Sequence, residues 1–120
     1  MYTIILDTDF LLHCTEKRVD IFTEINRICN FQYKIFIIDK TLKELENKKN
    51  SKLVFQIIKD KADIIKTKMD KTVDELILDL ELNNLMVCTS DRALKEKLKK
   101  RNIPVITLRQ GKYLKVEYVL

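Results

Sequence analysis

Glycine and proline are almost missing from this chain: Gly111 and Pro104 are the only examples in 120 residues. Tight hairpins draw on both, so a sandwich or barrel of many short strands is disfavoured against helices and longer connections. Histidine occurs once, at His13, and cysteine three times, at Cys14, Cys29 and Cys88, in no paired spacing. That inventory argues against a Cys/His zinc site and against a His-based catalytic triad. An odd thiol count without C-x-x-C points to reduced cysteines buried as small hydrophobes. His13 itself reads as a satisfied, partly buried residue. No apolar stretch approaches the roughly 18 residues of a membrane span. The segment Met1–Asp7 lacks the basic and long apolar regions of a signal peptide, so the expected location is cytoplasmic.

What is present is isoleucine, leucine and lysine. Hydrophobic residues make up 46% of the chain, enough for a packed core, and the length fits one domain over residues 1–120. Net charge is +5, and its distribution is uneven. Residues 1–39 hold four basic and six acidic side chains, residues 40–71 ten and five, and residues 92–101 six and one. An acidic beginning with a basic periphery suits a polyanion held over a cation-binding centre; solvation of Lys-rich helices is the plainer explanation of the same charges.

Periodicity organises the chain into alternating elements. Short apolar runs at 2–6, 34–38, 85–89 and 104–108 read as buried strands, Ile64–Ile65 as a further short one, and 113–119 as a final alternating one. Helical stripes occupy 9–14, 19–30, 41–49, 51–60, a segment opened by Thr72, and 91–101. Thr41/Glu44 and Thr72/Glu75 both have capping-box spacing. Strands separated by helices predict an α/β fold with a parallel central sheet.

Ligands of such sheets bind beyond the carboxyl ends of the strands. Asp7 directly follows the first strand, Asp91 lies just beyond the one ending near Thr89, Glu44 falls in the helix after the second, and Asp74 in the first turn of the helix opened by Thr72. Each has a local explanation as a helix cap or a first-turn acid. Those explanations do not account for four acids meeting at one edge. Clustered carboxylates need a compensating cation, and an all-oxygen donor set without His or Cys favours Mg²⁺ or Mn²⁺.

The segments IILDTDFLL (4–12), LKELE (42–46), TVDELILDLE (72–81) and VCTSDRALKEKLKKRNIPVITLRQ (87–110) resemble the PIN domain in order and spacing over nearly the whole chain. The likeness is especially to short archaeal PIN proteins related to ribosomal-RNA-processing nucleases. The resemblance implies a three-layer α/β/α domain with sheet order 3-2-1-4-5 and a Mg²⁺- or Mn²⁺-dependent ribonuclease. Asp7, Glu44, Asp74 and Asp91 would be its catalytic, metal-binding acids, with Asp9 and Thr89 accessory. Asp39 stands where many relatives carry proline. Arg92, Lys95, Lys99, Arg109 and Lys112 are candidates for RNA phosphate contacts, and Phe31, Tyr33 and Tyr113 for base stacking, though aromatics beside strands are more often core. A homodimer and an antitoxin or ribosome-assembly partner are further expectations of the resemblance.

Three other readings compete. A toxin ribonuclease of the VapC type would use the same chemistry on a narrower RNA substrate. A non-catalytic RNA-binding scaffold would tolerate loss of the acids, which are all present. Asp7-Thr8-Asp9 also matches the D-x-D of haloacid-dehalogenase-type phosphatases, but the chain is short for that fold and no Thr follows at the expected spacing.

Overall fold

The computed structural model describes residues 1–118 and contains β1 (Tyr2–Leu6), α1 (Thr8–Glu16), α2 (Ile21–Ile28), β2 (Tyr33–Ile38), α3 (Asp39–Leu45), α4 (Ser51–Ile58), β3 (Asp63–Ile65), α5 (Val73–Leu78), β4 (Leu85–Cys88), α6 (Arg92–Lys100), β5 (Val105–Arg109) and β6 (Tyr113–Glu117). The sheet runs β3-β2-β1-β4-β5-β6. Its first five strands are parallel in the expected order, and β6 adds an antiparallel edge to β5, in register from Val105–Glu117 to Arg109–Tyr113. The expected final strand thus closes the sheet as a hairpin. Its turn uses left-handed backbone at Gln110 (φ 55) and Gly111 (φ 64), which is where the single glycine is placed. Val119 of that expected strand lies outside the described residues.

The apolar strands alternate between two cores, which is why they carry hydrophobic residues at successive positions. Ile4, Leu6, Ile35, Ile37, Met86, Cys88 and Ile106 pack against α1, α2 and α4 through Phe10, Leu11, Ile21, Ile25 and Val54. Ile5, Ile38, Val87 and Val105 face the other way, against Val73, Leu76 and Ile77 of α5 and Leu94 and Leu98 of α6. Helices therefore cover both faces, the three-layer arrangement expected. All three cysteines are free and buried, and burial pushes the Cys14 thiol up to about 12.

Three local expectations are corrected. The Thr72/Glu75 capping box forms, whereas Thr41/Glu44 does not: α3 starts at Asp39, directly after β2, and has no side-chain cap. Asp39 accepts the Thr67 amide at 2.7 Å and the Thr67 hydroxyl at 2.6 Å, and its other bond is to the Lys40 amide. With the helix beginning two residues early, Thr41 is inside its first turn and fully buried. The stripe at 41–49 stops at Leu45, before left-handed Asn50 (φ 67) and α4. His13 is exposed on α1 rather than partly buried.

Candidate active site

Because β1 and β4 are parallel neighbours, the residues that follow them emerge at one edge. The Asp7 amide donates to the Cys88 carbonyl at 3.0 Å, so sheet pairing continues up to the first acid. Asp7 then caps α1, its Oδ1 accepting the Thr8 amide at 2.9 Å. Its Oδ2 accepts the Thr89 hydroxyl at 2.9 Å. The Thr89 oxygen in turn accepts the Asp91 amide at 3.1 Å, and Asp91 caps α6 by accepting the Leu94 amide at 3.0 Å. One buried threonine thus ties the acid after β1 to the acid after β4.

A second threonine reaches the other way. The Thr8 hydroxyl lies 2.7 Å from Glu44 Oε1, to which it donates, and 3.2 Å from the Thr41 hydroxyl. This orients Glu44 from α3 towards β1. Asp74 projects from the first turn of α5, whose capping box fixes where that helix begins. Asp7, Asp9, Glu44 and Asp74 line one cavity of about 470 Å³, with Asn47, Lys48 and Thr72 on its wall. Asp91 is outside that wall but faces Asp74.

Electrostatics register the crowding. Asp7 is 4% exposed, and its carboxyl is pushed up to about 6, first by burial and then by Asp74 and Asp9, against the lowering bonds from Thr89 and Thr8. Asp74 is raised by burial and by the charges of Asp91, Asp9 and Glu44. Among the described residues, none of the five acids enters an ion pair. No three acidic, His or Cys side chains there stand close enough to enclose one ion directly. The donor set is nonetheless all oxygen and anionic, which fits a hard divalent cation that keeps part of its water shell.

The other expected site residues divide. Arg92, Lys95 and Lys99 line a second cavity of about 470 Å³ with Ser90, Glu96 and Glu117. Lys99 and Arg109 are held by Glu117, at 3.0 Å and 2.6 Å. Lys112 is exposed in the β5–β6 turn and lines neither cavity. Phe31 packs edge-on to Tyr2 at 4.4 Å, Tyr33 is partly buried, and Tyr113 is 38% exposed. Sequence reasoning missed Thr8, Asn47 and Lys48 at the first cavity, Thr41 buried behind Thr8, and Glu117 at the second cavity. Thr8, placed between two acids at a strand-to-helix turn, was the one with a readable signal.

A three-layer domain with unpaired carboxylates gathered at the carboxyl edge of a parallel sheet defines a class of α/β protein with an acidic centre. A family model described as a PIN like domain matches residues 4–111. The chain belongs to the PIN-domain family. It is similar to Ribonuclease VapC4 of Methanocaldococcus jannaschii, 35% identical over 128 residues and 97% of each chain. The solved structure of the PIN domain endonuclease Utp24 shares the fold, with a TM-score of 0.86 at 22% identity over 99% of this chain and 93% of that one.

Proposed function

We propose that this protein is a metal-dependent ribonuclease that hydrolyses RNA phosphodiester bonds in RNA processing, such as that of ribosomal RNA, or in RNA turnover. The observation that carries the reading is the convergence of Asp7, Asp9, Glu44 and Asp74 on one cavity with Asp91 beside Asp74, none of them in an ion pair among the described residues. Holding like charges together is costly unless a cation or a proton compensates, and Asp7 and Asp74 are raised first by burial and then by their acidic neighbours. Asp7, Glu44, Asp74 and Asp91 are the residues that would hold Mg²⁺ or Mn²⁺, with Asp9 accessory. A divalent ion there supplies an activated water and neutralises charge on the leaving oxygen.

The protein's own part is positioning. Thr89 fixes one oxygen of Asp7 and, through its own oxygen, the backbone of Asp91. Thr8 fixes one oxygen of Glu44. Each bonded carboxylate keeps an unbonded lone pair for the cavity, and its rotamer is set before substrate arrives.

The test is cleavage of 5′-labelled single-stranded and structured RNAs with Mg²⁺, Mn²⁺ or EDTA. Ion-dependent cutting is expected; absence of cutting with either ion would refute the reading. A second reading, a VapC-type toxin neutralised by an antitoxin, is favoured by the name of the 35%-identical relative. It predicts growth arrest on expression and rescue by the product of an adjacent small gene. Pairing into a homodimer belongs to the same proposal, and light scattering would reveal it as a doubled mass.

A further inference from the structure

The basic residues near Asp91 are not a diffuse solvated face. In β5–β6, Thr107, Arg109 and Glu117 share one face, since Glu117 accepts from both the Thr107 hydroxyl at 3.3 Å and Arg109 at 2.6 Å. Lys115, paired with Thr107 across the hairpin, lies on that face by strand alternation. It is the same face that buries Val105 against α6. Helix α6 and the hairpin meet at a groove, a cavity lined by Ser90, Arg92, Lys95, Glu96, Lys99 and Glu117; Arg109 adjoins it through Glu117, and Lys115 is on the strand face that Glu117 shares. Ser90 lines the groove, one residue from Asp91 and next to Thr89, so the groove starts at the acidic centre.

Glu117 sits in this groove as a built-in anion. Its two oxygens each take one cation, Lys99 on Oε2 and Arg109 on Oε1. Lys95 adds its field, and these partners hold the Glu117 carboxyl below its ordinary range although burial opposes them. A carboxylate between a lysine and an arginine marks a position where a phosphate would make the same contacts. Of the groove's cations, Arg92, Lys95 and Lys115 form no ion pair among the described residues.

We propose that the groove between α6 and the β5–β6 hairpin carries the backbone of single-stranded RNA away from the acidic centre, and that Glu117 occupies a phosphate position that the RNA must take over. The identity of the ligand rests on the ribonuclease reading; the location of the track and the competition by Glu117 do not follow from it. Two consequences separate this from general attraction to a basic protein. Removing the Glu117 charge tightens binding more than removing a salt-bridged acid elsewhere. Removing a free groove cation lowers the salt dependence by about one single-strand contact, roughly 0.7 in the log–log slope.

The experiment measures binding of a fluorescein-labelled single-stranded RNA by anisotropy in EDTA, over a salt series, with wild type, Glu117→Gln, Lys95→Ala and Asp63→Asn. Asp63 pairs with Lys34 at 3.0 Å on the far edge of the sheet, so its variant removes a salt-bridged acid of the same charge outside the groove. Glu117→Gln is expected to tighten binding about threefold or more at low salt, with Asp63→Asn close to wild type. Lys95→Ala is expected to flatten the slope by roughly 0.7. Equal effects of Glu117→Gln and Asp63→Asn, an unchanged slope in Lys95→Ala, or no RNA binding by wild type would each overturn the track. A parallel Mn²⁺ cleavage assay keeps the two ideas apart. If wild type cuts RNA but Glu117→Gln binds like Asp63→Asn, the track fails and the ribonuclease stands. If Glu117→Gln tightens binding while no ion supports cleavage, the track stands and the ribonuclease fails.

Discussion

Asp91 combines two tasks at one position, since it caps α6 through the Leu94 amide and adds its charge to the field on Asp74. Asparagine caps a helix about as well as aspartate. Asp91→Asn is therefore expected to fold normally, within about 1 kcal/mol of wild type because relief of repulsion offsets any lost cap strength. Its RNA cleavage is expected to be nearly abolished. Wild-type cleavage by this variant would reduce Asp91 to a cap. Thr8 acts through Glu44 and calls for a different readout. Thr8→Val removes the 2.7 Å bond to Glu44 and is expected to raise the Mn²⁺ concentration for half-maximal cleavage about tenfold, the usual scale for a group that orients a ligand. Thr8→Ser should restore it. A Mn²⁺ requirement that is the same in all three proteins would show Glu44 to be positioned without Thr8.

At the scale of elements, the start of α3 shows what the sequence could and could not convey. Strands β1, β2 and β4 were legible because a run buried on both faces is uniformly apolar. The positions of Asp7 and Asp91 were legible because Asp7 directly follows such a run and Asp91 follows another after only Thr89 and Ser90. The beginning of α3 was not, since Thr41 and Glu44 have the spacing of a capping box and only a contact 28 residues away, from Thr67 to Asp39, shows that the helix starts earlier. For the same reason the link from Thr8 to Glu44 was invisible: it spans 36 residues and depends on the packing of α1 against α3. Glu117 escaped notice because its partners lie on another element and another strand.

The Asp39 clamp carries its own expectation. Burial opposes ionisation there, but the Thr67 hydroxyl and amide and the Lys40 amide prevail and hold the carboxyl below its ordinary value. Asp39→Ala loses these charged hydrogen bonds and is expected to cost about 1.5–3 kcal/mol in urea unfolding at pH 7. A group with a depressed folded-state pKa stabilises the fold above its unfolded value, near 3.9, and loses that contribution as pH falls through the folded value. The gap between wild type and variant should therefore narrow as the solution is acidified below about pH 4. A gap that persists there would mean that the clamp works by packing rather than charge.

Over the whole molecule, the two cores fix a rigid sheet whose carboxyl edge gathers acids from β1, α3, α5 and the β4–α6 turn. Among the described residues no helix is long and apolar enough to cross a membrane. Basic residues of α6 and the β5–β6 hairpin stand beside the acids without pairing with them, so the fold separates charge rather than neutralising it. A cation at the acidic edge would relieve the repulsion there and stabilise the folded state in proportion to its affinity. Calorimetric titration of Mn²⁺ into wild type and Asp74→Asn, both freed of metal with EDTA and dialysed, tests this most directly. Saturable binding in wild type, weakened about tenfold or more in Asp74→Asn, is the expected result. The same affinity in both proteins, or no saturable binding in wild type, would contradict a cation-holding acidic centre.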